Sequence, residues 1–163
     1  MRYAQIRKMD IQNGPGMRIS LFVQGCHFHC RNCFNSETWD FEGGKEFTPK
    51  ELDILIELES YSYIRGLSVL GGEPLAPENI EEVIHICRTV KDKYPDKTIW
   101  LWTGYLYENV INKEIFDYID VLVDGQFKDE LKDFKLMYRG SANQRVIDIR
   151  KTKETGTLTL LKC

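Results

Sequence analysis

Three cysteines lie within eight residues, Cys26-His27-Phe28-His29-Cys30-Arg31-Asn32-Cys33, directly after a β-rich run from Met17 to Gln24. The loop therefore begins where a strand ends, and the fold must leave room beside that strand end for whatever the thiols hold. The C-x3-C-x2-C spacing suits a soft metal centre and leaves it one ligand short, since cysteine-ligated clusters normally use four. An iron–sulfur cubane held by three cysteines keeps one iron free for another molecule, which points to a reactive cluster and to an enzyme. Zinc is the competing occupant, because His27 or His29 can complete a Cys3His site. No second C-x2-C or H-x3-H knuckle follows downstream. Inert thiols are the third reading. Disulfides are disfavoured by the odd total of five cysteines, by the lack of an opening secretory signal and by a cytosolic setting. Cys87 falls on an apolar stripe with Ile80, Val83, Ile84 and Val90 and reads as core packing. Cys163, the last residue, is expected to be exposed and frayed.

The chain has 163 residues, the size of one domain with a real core. It is 42% hydrophobic and 29% charged, with no apolar run near the length of a membrane span. Its net charge is −3, and the Lys and Arg residues are dispersed. A direct nucleic-acid partner is therefore not expected, nor is a membrane, and the expected location is the cytoplasm.

Local patterns place the motifs. Thr48-Pro49-Lys50-Glu51 is a capping box with proline at the first helical position, opening a helix to about Ser60. A short buried strand, Gly66 to Leu70, runs into Gly71-Gly72-Glu73-Pro74. A helix follows from about Pro77 to Lys93. Ile99 to Trp102 is the next strand and enters Thr103-Gly104-Tyr105. A short helix is expected near Tyr107–Tyr118. The segment 120–123 then leads into Asp124-Gly125, and late strands are expected at Arg145–Ile149 and Thr157–Leu161. Alternating strands and helices of this length imply parallel βαβ units, in which ligands bind at the carboxyl ends of strands. The loops at 26–33, 71–74, 103–105 and 124–125 all follow predicted strands, so they should converge on one edge.

Each of these loops also has an ordinary reading. Gly71-Gly72 would let backbone approach a ligand closely, or it is a plain β-to-α turn, and Thr103-Gly104 reads the same way. Trp100 and Trp102 alternate in a strand and fit core packing better than a stacking surface. Asp124 could contact a ribose hydroxyl or a cation, although Asp-Gly is also a common turn pair.

Taken together, the cysteine triplet and the Gly-Gly-Glu-Pro loop one βα unit later resemble the radical S-adenosylmethionine superfamily. Asn13-Gly14-Pro15-Gly16-Met17-Arg18, with Phe22 and Gly25-Cys26, is similar to the branch that installs glycyl radicals in partner enzymes. Within that branch, Trp102-Thr103-Gly104-Tyr105, Val123-Asp124-Gly125-Gln126-Phe127 and Arg139-Gly140-Ser141-Ala142-Asn143-Gln144 resemble activators of anaerobic ribonucleoside-triphosphate reductases. The resemblance runs from about residue 3 to 150, within a single domain spanning 1–163. It implies a compact, incomplete βα barrel of mainly parallel strands. It also implies a [4Fe-4S] cluster on Cys26, Cys30 and Cys33, with S-adenosylmethionine on the open iron. Gly71, Gly72 and Glu73 would position the amino group of S-adenosylmethionine. Asn32, Cys33 and Phe34 would lie along its adenine and methionine. An electron from a flavodoxin-like donor would cleave it to a 5′-deoxyadenosyl radical, which takes hydrogen from a glycine of the reductase large subunit.

Two departures stand out. Asn32 occupies a position where the subfamily often has glycine. The tail at 151–163 looks like an addition, expected to be an extra edge strand. Arg139–Gln144, with Trp39 or Tyr105, is a candidate docking face for the reductase, against the simpler reading that Arg139 makes a local ion pair. The remaining rivals are an activator of a different glycyl-radical enzyme, of formate- or diol-lyase type, and a non-catalytic zinc-binding module.

Overall fold

A computed structural model describes residues 1–162; Cys163, expected to be exposed, lies outside the described residues. Seven strands form one open sheet: β1 (Arg2–Asp10), β2 (Arg18–Val23), β3 (Lys45–Glu46), β4 (Gly66–Gly71), β5 (Thr98–Trp102), β6 (Val121–Asp124) and β7 (Arg145–Asp148). Their spatial order is β3-β1-β2-β4-β5-β6-β7. The central strands β2, β4, β5 and β6 are parallel, as the βαβ pattern predicts. The flanks are antiparallel: β1 pairs with β2 and β3, and β7 pairs with β6. The expectation of mainly parallel strands is corrected to a mixed sheet. The physical reason is connection length: β1 returns into β2 through the short turn at 11–17, which cannot hold the crossover a parallel pair needs.

Three α-helices accompany the sheet: α1 (Pro49–Glu59), α2 (Ile80–Lys93) and α3 (Ile149–Thr155). The capping box at Thr48 forms with Glu51, and the proline sits in the first turn of α1. The helix expected over 107–118 is instead two 3-10 turns, Tyr107–Asn109 and Lys113–Asp117. Asn112 separates them, its Oδ1 accepting from the Glu114 amide at 3.0 Å, a local bond that competes with helix continuation. The tail is not a full edge strand. It begins with α3, ended by Gly156 in the left-handed region, and then makes one isolated bridge from Leu160 to Ile147.

Alternation along the strands sorts the two faces of the sheet. Ile19, Leu21 and Val23 on β2, Leu67 and Val69 on β4, Ile99 and Leu101 on β5, and Leu122 on β6 join the main core with Ile80, Val83, Ile84, Cys87 and Val90 of α2. Cys87 is fully buried there, as its stripe predicts, and burial pushes its thiol up to about 12. The alternate positions face the other way. Trp100, Val121, Val123 and Val146 form a second cluster with Trp102 and Tyr138. The tryptophans thus pack against each other and against Tyr138.

Fully buried Arg18 ties the amino-terminal ends of the central strands together. Its Nε donates to Ser68 Oγ at 2.8 Å, and Nη2 donates to the carbonyls of Leu67 and Thr98 at 2.9 and 2.8 Å. Burial lowers it to about 10. Nearby Glu59 at the end of α1 is also fully buried, and neither carboxylate oxygen has a hydrogen-bond donor among the described residues. Burial raises its pKa to about 7, against the pull of Arg18 and Lys97. A raised folded-state pKa favours the protonated form in the native state, so this group's stability is fully present below about 4.5 and lost as pH rises through 7. Thermal unfolding should therefore shift upward as pH falls from 7 toward 5. Glu59→Gln should flatten that slope, and a slope equal to wild type would show that Glu59 does not titrate in this window.

Candidate active site

The loops that follow β2, β4 and β5 meet around one cavity of about 770 Å³. Cys26, Cys30 and Cys33 line it, as do Gly71, Gly72, Glu73, Thr103 and Gly104, and Gly125 reaches it from the end of β6. This is the edge that strand-end geometry predicts, on the sheet face away from α1 and α2.

The cysteine loop is anchored at both ends. The Gly25 amide donates to the Thr38 carbonyl and the Cys26 amide to the Trp39 carbonyl, at 2.7 and 3.1 Å. Within it, the Cys33 amide donates to the Cys30 carbonyl, and Asn32 takes a positive φ of 56°. His27 Nε2 lies 2.7 Å from Glu78 Oε2, tying the loop to the entrance of α2. His29 stacks on Trp39 with ring centroids 4.5 Å apart. Both histidines therefore have partners other than a metal. Burial raises the Cys26 thiol, offset by hydrogen bonds from the Phe28 and His29 backbone. Burial also raises Cys30, followed by its proximity to Cys33, with a Phe127 backbone hydrogen bond opposing.

The Gly71-Gly72 loop lies directly on the end of β2. Gly71 has φ of 130°, which favours glycine, and a Cβ on Gly72 would stand 2.6 Å from the Gly25 carbonyl oxygen. The Gly72 amide donates to the Val23 carbonyl, and the Glu73 amide to the Gly25 carbonyl at 2.7 Å. Asn35 Nδ2 donates to the Gly71 carbonyl at 3.2 Å, joining the two loops from the other side. The glycines thus line the cavity and also let two backbones touch. The second role was not visible from the sequence, because it depends on a neighbour nearly fifty residues away.

Glu73 is buried, 2% exposed, and its carboxylate is the hub of the site. Oε2 accepts from the Leu75 amide at 2.8 Å and from Thr103 Oγ1 at 2.7 Å, while Oε1 accepts from the Gly104 amide at 2.6 Å. Burial raises its pKa to about 7 in spite of these donors. Thr103, one of the sequence candidates, meets the cavity but spends its hydroxyl on Glu73 and on the Tyr105 amide.

Asp124 is not brought to the cavity. It is fully buried, its two oxygens accept from Arg145, and Oδ2 also accepts from the Tyr107 amide at 2.8 Å. The expectation of a ribose or cation contact gives way to a strut between β6 and β7. Asn32 is likewise exposed outside the cavity lining, with Nδ2 donating to Asp129 Oδ2 at 3.0 Å. Phe34 does line it, 57% exposed, with its ring against Phe127. Sequence reasoning missed Asn35, Arg7 and Gln12, polar residues whose spacing carries no periodic signal.

The donor set fits a polynuclear cluster. Cys26, Cys30 and Cys33 share one short loop and all line the same cavity. A mononuclear tetrahedral site needs its donors packed at about 2.3 Å from one centre, whereas a cubane takes each thiolate on a separate iron. The Trp39 indole Nε1–H, beside the cysteine loop, is buried without an acceptor among the described residues, although the ring lines the cavity.

Comparison with known proteins agrees. A family model described as a 4Fe-4S single cluster domain matches residues 12–147. A protein of Enterobacteria phage T4 is 44% identical over 146 residues, covering 90% of this chain and 93% of its own length. Proteins of Salmonella typhimurium and Vibrio cholerae are 41% and 43% identical, covering 92% and 88% of this chain and 100% and 96% of their own. All three are named anaerobic ribonucleoside-triphosphate reductase-activating protein. With three cysteines at the strand ends and such identity over nearly its whole length, this chain belongs to the family of anaerobic ribonucleoside-triphosphate reductase-activating proteins, built on a 4Fe-4S single cluster domain.

Proposed function

We propose that this protein is an enzyme that activates an anaerobic ribonucleoside-triphosphate reductase by generating a glycyl radical on it. The observation that carries the reading is the meeting of three cysteines and the Gly71–Glu73 loop at one cavity, in a chain whose relatives are named for that activation. Cys26, Cys30 and Cys33 would hold a [4Fe-4S] cluster, and the Gly71-Gly72 backbone would hold the amino group of S-adenosylmethionine beside it. Together these groups supply the one-electron chemistry that removes hydrogen from a glycine Cα. We read the cavity-bearing sheet face as the inner wall of a partial βα barrel within one domain, and a flavodoxin-like protein as electron donor.

The chain's own residues do the positioning. Glu73 holds the Thr103-Gly104 loop at a fixed distance from the Gly-Gly loop, so the cavity keeps its width. Asn35 and the Gly25 carbonyl hold the Gly-Gly loop against the cysteine loop. Phe22, Leu70 and Trp102 supply apolar wall, which excludes water from a reactive species. Arg139 donates to the carbonyls of Ala142 and Gln144, which orders the 139–144 loop at the rim through main-chain hydrogen bonds rather than the local ion pair of its simpler reading.

Electron paramagnetic resonance on an anaerobic mixture of reconstituted protein, reductase, reductant and S-adenosylmethionine tests this directly. A glycyl doublet that requires S-adenosylmethionine, with 5′-deoxyadenosine in the same tube, is the expected result. Neither product, with the cluster intact, would overturn the reading.

A further inference from the structure

The cavity has two ends, and the cysteine, Gly-Gly and Thr103 loops take up only one. At the other, Arg7 on β1 and Gln12 and Asn13 in the β1–β2 turn line the same space, with Phe22 of β2 beside them. Arg7 stands opposite Ser20 in the β1–β2 register, three residues before Val23. Its Cα therefore lies roughly 10 Å down the sheet from the strand end where the cysteine loop starts. Residues facing each other across an antiparallel pair share a sheet face. Ser20 alternates with core residues Ile19 and Leu21, so Arg7 belongs to the cavity face.

Arg7 makes one long ion pair, 4.0 Å to Asp10, and no side-chain hydrogen bond among the described residues. Its guanidinium rides over the Phe22 ring, 4.6 Å from the centroid, and its side chain is 41% exposed. The nearest carboxylate oxygen, Asp10 Oδ2, is 4.0 Å away and already accepts from Ser20 Oγ and Asn13 Nδ2, both at 2.6 Å. The other cavity arginine, Arg139, is bonded to two carbonyls of its own loop. Gln12 donates its backbone amide to Asp10, while its side-chain amide makes no hydrogen bond among the described residues. An oriented arginine offers only donors, and a glutamine amide offers one group of each kind. That pairing matches the carbonyls and amides of an extended main chain.

Building on the reading above, we propose that Arg7 and Gln12 anchor, by its main-chain groups, the reductase segment that carries the reacting glycine. A segment gripped at this end is threaded along the Phe22 wall toward the cysteine loop. Phe22 acts here as a positioning residue, since its ring sets where the guanidinium points.

The test measures binding of the full reductase to the cluster-loaded protein by calorimetry, beside the reductase dependence of glycyl-radical formation. Arg7→Ala should weaken reductase binding and raise its KM by about tenfold or more, the scale of one hydrogen bond to a charged donor. Gln12→Ala should do so by a smaller factor, and Arg7→Lys should recover part of the loss. S-adenosylmethionine affinity, measured separately, should stay within about twofold by the same affinity arithmetic. Unchanged reductase binding in both variants overturns the inference while leaving the activating function standing. A parallel loss of S-adenosylmethionine affinity also overturns it, because Arg7 would then serve the cofactor. A wild-type protein that binds reductase but yields no doublet would instead refute the function. Should Arg7→Ala fail to fold, Arg7→Lys and Gln12→Ala decide the matter.

Discussion

Alanine at Cys30 should yield a colourless, iron-poor protein that forms no radical on the reductase. The Cys30 thiol is half-buried at the cavity, and burial together with neighbouring Cys33 raises its pKa, so as the proposed ligand it would give up a proton on loading. On the proposed three-cysteine ligation, two remaining thiols would be too few for a cluster that already uses one ligand fewer than the usual four. The loss of activation should exceed the roughly 100-fold scale seen when only outer-shell partners of a metal are removed. Iron and sulfide analysis after anaerobic reconstitution, with the visible spectrum, checks this. Full iron content in the variant would show that Cys30 is not a ligand. Cys87→Ala is the internal contrast. That thiol sits in the core against α2 neighbours and is inert at neutral pH, so its loss should cost about 1 kcal/mol of stability and leave the chromophore intact.

Glu73→Ala should lower both stability and S-adenosylmethionine affinity, and the coupling of the two is the point. The substitution strips the acceptor from three donors at once: the Leu75 amide, the Thr103 hydroxyl and the Gly104 amide. Buried donors left without acceptors cost about 1–3 kcal/mol each. A total near 3 kcal/mol corresponds to a fall of roughly 10 °C in Tm for a chain of this size. With the strut gone, the Thr103-Gly104 loop is free to drift from the Gly-Gly loop, and the cavity loses its shape. Glu73→Gln should recover little, because one of its two positions would set an NH2 group against an N–H or O–H donor. If Glu73 were instead a direct ligand with no structural task, Tm would hold while cofactor affinity collapsed. Differential scanning calorimetry beside equilibrium dialysis separates the two cases. Protonation gives an independent check: burial raises Glu73 to about 7, so its contribution to stability also diminishes as pH rises through that value.

Much of this site was legible in short stretches of chain. The C-x3-C-x2-C spacing, the capping box at Thr48–Glu51 and the two-residue alternation of β2, β4 and β5 are local relations. Each depends on residues within a few positions of one another, where chain geometry leaves few options. The placement of three loops at one edge followed from those strands by the rule of parallel sheets. Glu73 was legible as part of the site but not as its hub, since its partners Thr103 and Gly104 are thirty and thirty-one residues away. The ion pair of Asp124 was not legible for the same reason: its partner Arg145 lies twenty-one residues on, and nothing in an Asp-Gly pair announces a distant guanidinium.

The sequence by itself therefore determined which chemistry the chain can carry and which strand ends present it, because thiol spacing and hydrophobic alternation act at short range. The tertiary structure alone decided that the flanking strands run antiparallel, that the Gly-Gly loop rests on β2, and that Arg7 enters the cavity. Those outcomes depend on which distant segments pack together, and that choice is a property of the whole core rather than of any one segment.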